Sequence, residues 1–458
     1  MGRLWQLQIL QGPTYLRFSE ENRLRDLRVL APRGTIFDRR GRPLVINRAA
    51  FTVAVLPTEL RNPEGTVPIL VQILAVPEAK IRERLRLDRT RPFEPVRLRR
   101  DVSKEIVAML EENRLDLPGV IIEAEGVRQY PYGTLAAHAL GYVGEISEAE
   151  LVTPARVGYR TGDLIGKTGV ERVYDRILRG RDGKVRVEVD VLGRQLRVLR
   201  REPGEAGKSV VLTIDLDIQR AAEAALGDRT GAVVALDVRN GEVLALASHP
   251  AFDPNAFAGG ISEREWTRLA RDPAHPLLNR AVDSAYEPGS AFKIVTGTAA
   301  LMRGKATRTT RIYDPGYLRL GGWVYRGLKA HGNVDFLTGL AVSSNVYFWT
   351  LGLRTGPDAL SETAHALGLG ERTGIDLPSE TSGSIPSPLW KQRRLGEPWY
   401  PGDTVNMATG QGWVNTTAVQ MARLVAAIGN GGSVVRPHLL RSVLDAEGRP
   451  VERKPVEP

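Results

Sequence analysis

Cysteine is absent from the 458 residues. That excludes structural disulfides, a thiol nucleophile and any metal held by thiolates, and it leaves the redox compartment open. Long apolar runs are absent too: nothing approaches the roughly 20 residues needed to cross a bilayer. Leu4-Trp-Gln-Leu-Gln-Ile-Leu10 is short and carries glutamines, so it reads as neither signal peptide nor anchor. Its tryptophan and leucines fit the watery edge of a span that has been removed. Asn22-Arg-Leu-Arg-Asp-Leu-Arg28 then reads as a solvated amphipathic stretch. Internal repeats and low-complexity segments are also missing.

Acidic residues are outnumbered. With 63 Lys and Arg against 53 Asp and Glu, the chain carries +10 and a pI near 9.8, and arginine far exceeds lysine. One reading is affinity for an anionic membrane surface or envelope polymer. The other is the amino-acid bias of a GC-rich genome. No nucleic-acid motif accompanies the charge, so nothing points to a nucleic-acid partner. The length allows two or three domains, and 42% hydrophobic content is ordinary for a globular chain.

What is present is a serine and a lysine three residues apart, in Ala285-Tyr-Glu-Pro-Gly-Ser290-Ala-Phe-Lys293-Ile-Val-Thr-Gly297. Pro288-Gly289 breaks the preceding structure, and the apolar residues that follow predict a helix starting near Ser290. On a helix, residues three apart share a face, so Lys293 is expected to reach the Ser290 oxygen. The helix N-terminus favours an oxyanion there. A bare Ser-x-x-Lys arises by chance in roughly every second chain of this size, so its weight rests on context. The context is Ala341-Val-Ser343-Ser344-Asn345, a Ser-x-Asn triplet downstream of the pair. Together, in this order, they are the first two of three motifs shared by penicillin-binding proteins and serine β-lactamases. The third, Lys-Thr-Gly, occurs literally at Lys167-Thr168-Gly169, but upstream of the serine, where it is a decoy. Nothing after Asn345 supplies it: Ala408-Thr409-Gly410 lacks the lysine. The expectation is a chain cut short, without turnover of its own if it ends at Pro458.

Along the chain, Arg33 to Gly41 begins a strand-turn-strand unit, with Phe51 to Leu56 as a later strand. From about Pro63 to Ile122 the pattern is helical and heavily charged, and we read it as a small α/β insertion. Val185 to Asp190 alternates like a half-exposed strand. A loop near Glu202 to Gly207 marks the expected domain boundary. Beyond it come a buried strand at Ser209 to Ile214 and a helix over Leu216 to Leu226. Gly231 to Asp237, the Asn240-Gly241 turn and Val243 to Ala247 form a hairpin signal. A further helix runs from Ala418 to Ile428 and stops at Asn430-Gly-Gly432.

The chain resembles the class B penicillin-binding proteins, monofunctional D,D-transpeptidases that cross-link peptidoglycan, over nearly its whole length. The resemblance is carried by Pro32-Arg33-Gly34 with Asp38-Arg39, by Arg128-Gln-Tyr-Pro-Tyr-Gly133, and by Ala136-Ala-His138-Ala-Leu-Gly-Tyr-Val-Gly144. It continues in Gly166-Lys-Thr-Gly-Val-Glu171 with Tyr174 and Leu178-Arg-Gly180, then Thr213-Ile-Asp215 with Gln219, the two serine motifs, and Met407-Ala-Thr-Gly-Gln-Gly412. Asn47-Arg48 leading to Val55-Leu-Pro57, and the wording around Lys167, fit the rod-shape (elongation) branch better than the septal one.

The resemblance implies an α+β fold. A juxtamembrane segment (1–30) leads to an elongated non-catalytic pedestal (31–205) with an inserted head over 63–122. A transpeptidase domain of the β-lactamase-like kind follows (206–458), incomplete at its C-terminus. It implies Ser290 as nucleophile, Lys293 as its base, Ser343 as proton relay and Asn345 as the residue that holds the substrate amide and orients Lys293. It also implies one N-terminal membrane span in the natural protein and an extracytoplasmic catalytic domain. The expected partners are a polytopic polymerase making glycan strands from lipid II, other elongation-complex membrane proteins, peptidoglycan stem peptides and β-lactam antibiotics. No cofactor is expected. Asp314 and His331 lie where some relatives bind zinc, but those relatives use a cysteine that this chain lacks, so no metal is expected. Asp215, Asp237, Glu171 and His138 read as structural. Two other readings remain open: a β-lactam hydrolase, and a non-catalytic scaffold or activator of the polymerase.

Overall fold

The computed structural model describes residues 24–87, 95–153, 158–189 and 195–453. The chain forms two units. One holds the chain up to Leu212 with Asp253–Arg268 and Ser442–Arg453; the other holds Thr213–Phe252 and Leu269–Arg441. The unit boundary therefore falls at Leu212, later than the loop near Gly207 suggests.

The first unit begins with β1 (Leu24–Val29), β2 (Ile36–Phe37) and β3 (Pro43–Val55). The helices α1 (Pro63–Leu74) and α2 (Glu78–Leu87), the strand β4 (Val96–Val102), the helix α3 (Lys104–Glu112) and the strand β5 (Val120–Gln129) follow. After α4 (Gly169–Val173) and α5 (Asp175–Arg179) come β6 (Gly183–Val189), β7 (Gln195–Glu202) and β8 (Ser209–Leu212). β1 pairs antiparallel with β6, Leu24 opposite Glu188 and Val29 opposite Gly183, and β6 pairs with β7. Leu24–Val29 is thus a strand, not a solvated amphipathic stretch, because β6 satisfies its backbone. Leu4 to Leu10 lies outside the described residues.

The stretch from 63 to 122 mixes helices and strands, as an α/β insertion does. Asn62 caps α1 by accepting from the Gly65 N–H at 3.1 Å, and Pro63 occupies the first turn. Between the helices, however, β4 alternates buried and half-buried residues and pairs with β3, which pairs on its other side with β5. Val53, Val67, Leu70, Ile81, Leu98 and Leu110 form the local core. Arg84 is not a free surface charge: its Nη1 donates to the carbonyls of Arg97 and Leu98 at 2.7 and 3.0 Å, pinning α2 to β4.

A buried charge cluster ties distant segments of this unit. Arg33 donates to Glu171 at 2.7 Å and to Asp175 at 2.8 Å, and Arg128 donates to the other Glu171 oxygen at 2.6 Å. Burial alone would push the Glu171 carboxyl up. The attraction and hydrogen bonds of Arg128 and Arg33 outweigh it and hold the group below the usual carboxylate range. Glu171 is therefore structural, as its sequence context indicates.

The second unit opens with α6 (Leu216–Leu226), capped by Asp215, whose carboxylate accepts from the Asp217 N–H at 3.0 Å. β9 (Gly231–Leu236) and β10 (Val243–His249) form an antiparallel hairpin. Gly241, in its turn, sits at φ +78°, and a side chain there would overlap the Arg436 carbonyl. Then come α7 (Lys293–Met302), β11 (Ile312–Asp314) and β12 (Gly332–Val334). The helices α8 (Phe336–Ala341), α9 (Asn345–Thr355), α10 (Pro401–Ala408) and α11 (Ala418–Gly429) complete the part that frames the site. Phe292, Val295, Val346, Trp349, Val405 and Leu424 pack between these helices. Burying a side chain such as Phe292 contributes about 1.5–3 kcal/mol.

Candidate active site

Ser290 lies on an exposed 3₁₀ turn, Gly289–Phe292, that runs directly into α7. Phe292, fully buried, anchors the turn from below. Gly289, at φ +56°, donates its N–H to the Gly410 carbonyl at 3.0 Å. Gly410 is itself at φ +68°, and a Cβ on it would overlap the Gly289 carbonyl and Phe292. Thr296 adds a bond to the Ala408 carbonyl at 2.8 Å. The serine therefore stands on a turn held rigidly against the end of α10.

Lys293 is 1% exposed. Its Nζ donates to the Ser343 carbonyl at 2.7 Å, to Ser343 Oγ at 2.9 Å and to Asn345 Oδ1 at 2.6 Å. The expected serine–lysine hydrogen bond is not formed among the described residues. The reason is local: the chain at Ser290 is 3₁₀ rather than α, and three acceptors across the site satisfy the three ammonium protons. The Phe348 ring lies 5.8 Å from Nζ. Burial pulls Lys293 down from its ordinary value to about 8, against the raising effect of Asp314.

Ser343 sits at φ +55°, in the left-handed region that serine rarely adopts. It is the pivot between α8, whose end it closes by donating its N–H to the Leu340 carbonyl at 3.1 Å, and α9. Ser344 caps α9 by accepting from the Tyr347 N–H at 3.1 Å. The Ser344 hydroxyl in turn donates to the buried Asp314 at 2.5 Å. Sequence reasoning passed over both Ser344 and this use of Asp314. A capping serine before an apolar helix was the available signal for the first; nothing local marks the second.

The structure thus brings Lys293, Ser343 and Asn345 together, with Ser290 exposed on the adjoining turn. It leaves the literal Lys167-Thr168-Gly169 in the first unit, where Lys167 pairs with Glu150 at 2.6 Å. His331 contributes its backbone N–H to the Asp314 carbonyl at 3.1 Å. Among the described residues, no group of three or more His, Asp or Glu side chains could hold a metal ion. No described helix is long and apolar enough to cross a membrane.

Comparison with known proteins covers both units. The family model of the penicillin-binding protein dimerisation domain matches residues 28–212, and that of the penicillin binding protein transpeptidase domain matches 231–457. The peptidoglycan D,D-transpeptidase MrdA of Escherichia coli K12 is 36% identical over 457 residues, 97% of this chain and 72% of the relative. MrdA of Haemophilus influenzae is 35% identical over 98% of this chain and 70% of its own length. Among solved structures, a complex of penicillin-binding protein PBP2 with MreC from Helicobacter pylori shares the fold with a TM-score of 0.81. It is 29% identical and covers 93% of this chain and 80% of that one. A peptidoglycan synthase complex, solved for its coordination of polymerization and crosslinking, matches with a TM-score of 0.70 and 34% identity. That match covers 100% of this chain and 79% of the other.

Proposed function

The chain belongs to the penicillin-binding protein family, and from that premise we propose that it is a serine peptidoglycan D,D-transpeptidase of cell elongation and a target of β-lactams. The observation that carries the reading is the buried Lys293, bonded to Ser343 and Asn345 and set at the start of α7, directly after the 3₁₀ turn that carries the exposed Ser290.

Ser290 Oγ attacks the carbonyl carbon of the penultimate D-alanine of a pentapeptide stem. Its proton passes to the Lys293 side chain, which supplies a base only when neutral. The lowered Lys293 value, about 8, keeps a usable neutral fraction near physiological pH. The Ser290 N–H stabilises the oxyanion as one of its donors. The carbon–nitrogen bond then breaks, Ser343 delivers a proton to the departing amine, and D-alanine leaves an acyl-serine behind. An amine from a neighbouring stem attacks that ester and takes the acyl group, which forms the cross-link and returns the proton to the site. Asn345 holds the stem amide and orients Lys293.

Intact mass spectrometry and peptide mapping after penicillin treatment test this reading. A long-lived adduct on Ser290, lost in Ser290→Ala, is expected. An adduct elsewhere overturns it, and release of the drug within seconds would mark a hydrolase instead.

For partners, the similar structures include PBP2 bound to MreC and a peptidoglycan synthase complex. We propose that this chain likewise joins elongation-complex membrane proteins, among them the polymerase that consumes lipid II, and works on the extracytoplasmic face of the bacterial cell membrane. The pedestal, with the helices between 63 and 122, is the docking region. Reversing Arg82, whose partners Glu64 and Glu78 are themselves on the surface, tests this without disturbing the core. Arg84 is unsuited to that experiment because it holds β4.

A further inference from the structure

The turn that presents Ser343 and Asn345 is held from behind by a carboxylate that the reaction does not use. Asp314 ends β11 and is 1% exposed. Its Oδ2 accepts from the Ser344 hydroxyl at 2.5 Å, and its Oδ1 accepts from the Gly316 N–H at 2.7 Å. No arginine, lysine or histidine forms an ion pair with it among the described residues. A buried carboxylate without an ion-pair partner is costly, and a serine or asparagine could close the same strand end at less expense. What the charge does gain is an influence on Lys293, whose ammonium it favours against desolvation.

The geometry links the two ends. Ser344 uses its hydroxyl twice, donating to Asp314 and accepting from the Tyr347 N–H at the start of α9. Its chain neighbours on either side are Ser343 and Asn345, the residues that bind Lys293. The Ser343 backbone is in the left-handed region, which persists in a serine only when surrounding contacts over-determine it. Any shift of Ser344 therefore moves both ligands of the lysine at once.

We propose that Asp314 is a positioning residue for the serine–lysine site: by fixing Ser344 it holds the turn at Ser343 and the first turn of α9, so that three oxygens converge on Lys293. The inference rests on the reading of Ser290 as the acylated serine. From α9 and its turn, Lys293 meets the neutral Ser343, Asn345 and Phe348. From β11 it feels Asp314. His331, the titratable residue beside β11, is tied to Asp314 through the backbone.

The test uses Asp314→Asn, Ser344→Ala and Ser344→Thr in the whole chain. Two quantities are followed against pH: acylation of Ser290 by a fluorescent penicillin, and the NMR titration of labelled Lys293, which needs no acylation. Asp314→Asn is expected to move the Lys293 titration to lower pH by about half to one unit, and the acid limb of acylation with it. The plateau rate should fall about tenfold as the turn loosens. Ser344→Ala should lower the plateau by a similar factor while leaving the limb in place, and Ser344→Thr should restore most of it. Combining Asp314→Asn with Ser344→Ala should be no worse than the more harmful single change. An unmoved titration in Asp314→Asn, an unchanged plateau, or effects that multiply in the double variant would each overturn the proposal. If Asp314→Asn does not fold, the contrast between Ser344→Ala and Ser344→Thr decides the positioning role: equal rates in the two overturn it. A wild-type chain with no adduct on Ser290 refutes the functional reading instead, and the Lys293 titration still judges Asp314.

Discussion

Lys293 and Ser343 meet twice. One ammonium donates to both the carbonyl and the hydroxyl oxygen of the same residue, at 2.7 and 2.9 Å, and the left-handed backbone of Ser343 turns both toward it. Two bonds to one residue fix the lysine more tightly than two bonds to independent side chains, because a single backbone conformation sets both acceptors. The active form of this site is therefore as sensitive to the shape of the turn as to the identity of its side chains.

The first prediction concerns pH. With burial bringing Lys293 down to about 8, the neutral form grows as pH rises through that value. Acylation by penicillin should climb from roughly a tenth of its plateau near pH 7 to a plateau above pH 9. Lys293→Met should lower the plateau by about 10² to 10⁴ and abolish the limb. Stopped-flow acylation across pH 6 to 10 measures both, and a flat wild-type profile would remove the lysine from the role of base.

The second concerns stability. Burial pushes the Asp283 carboxyl up to about 6, against a single backbone hydrogen bond, and its Oδ1 has no hydrogen-bond partner. The folded chain holds this proton after the unfolded chain has released it, so stability is lost as pH rises from about 4 through 6. Asp283→Asn should stabilise the protein at pH 7.5 by about 1–2 kcal/mol and leave it unchanged at pH 4. Urea unfolding at the two pH values reads the difference.

The third addresses the pedestal. Glu171→Gln leaves Arg33 and Arg128 without their shared carboxylate in a buried place, and should destabilise the first unit by about 3–5 kcal/mol. Because the Glu171 carboxyl lies below its ordinary value, its contribution is present above about pH 4.5 and is lost as pH falls through the folded value. The gap between variant and wild type should therefore narrow in acid. A gap that stays constant to pH 3 would contradict the ion cluster.

The fourth tests the support of the nucleophile. Gly410→Ala places a methyl group into the Gly289 carbonyl and strains a left-handed residue, so the turn under Ser290 must shift. Acylation should fall at least tenfold with Ser290, Lys293, Ser343 and Asn345 all intact. Gly304→Ala, another left-handed glycine but with open space around its Cβ, serves as the control and should acylate normally.

Much of this was legible in the sequence, and the rest was hidden for physical reasons. The serine pair and triplet, the β9–β10 hairpin with its Asn240-Gly241 turn, and α11 behind Thr417 all have local signatures, because caps and tight turns depend on a few adjacent residues. β4 was not singled out within the α/β insertion, although Val96, Leu98 and Val102 follow the two-residue period. Its arginines mask that period, and in the fold Arg97 and Arg100 are neutralised by Glu125 and Glu145. Leu24–Val29 was misread for the same reason: a charged strand looks solvated until its partner is known. The Asp314–Ser344 bond joins residues 30 positions apart and leaves no periodic trace. Nor does any rule of composition announce a serine in the left-handed region.

The pairing of β2 with β8 has a consequence for how the chain is made. Ile36 lies opposite Val210, and Thr35 bonds to Ser209 across 174 positions, so the second strand of the pedestal gains this neighbour only after the chain has been synthesised to about residue 210. At about 5 to 20 residues per second that is a wait of roughly ten to thirty seconds. During it that edge of β2 stands unpaired, and for most of it Arg33 waits for Glu171 and Asp175. The pedestal sheet is thus completed late at this edge, and the interval before that pairing is when a nascent chain is most open to chaperones, proteases and mispairing with another copy.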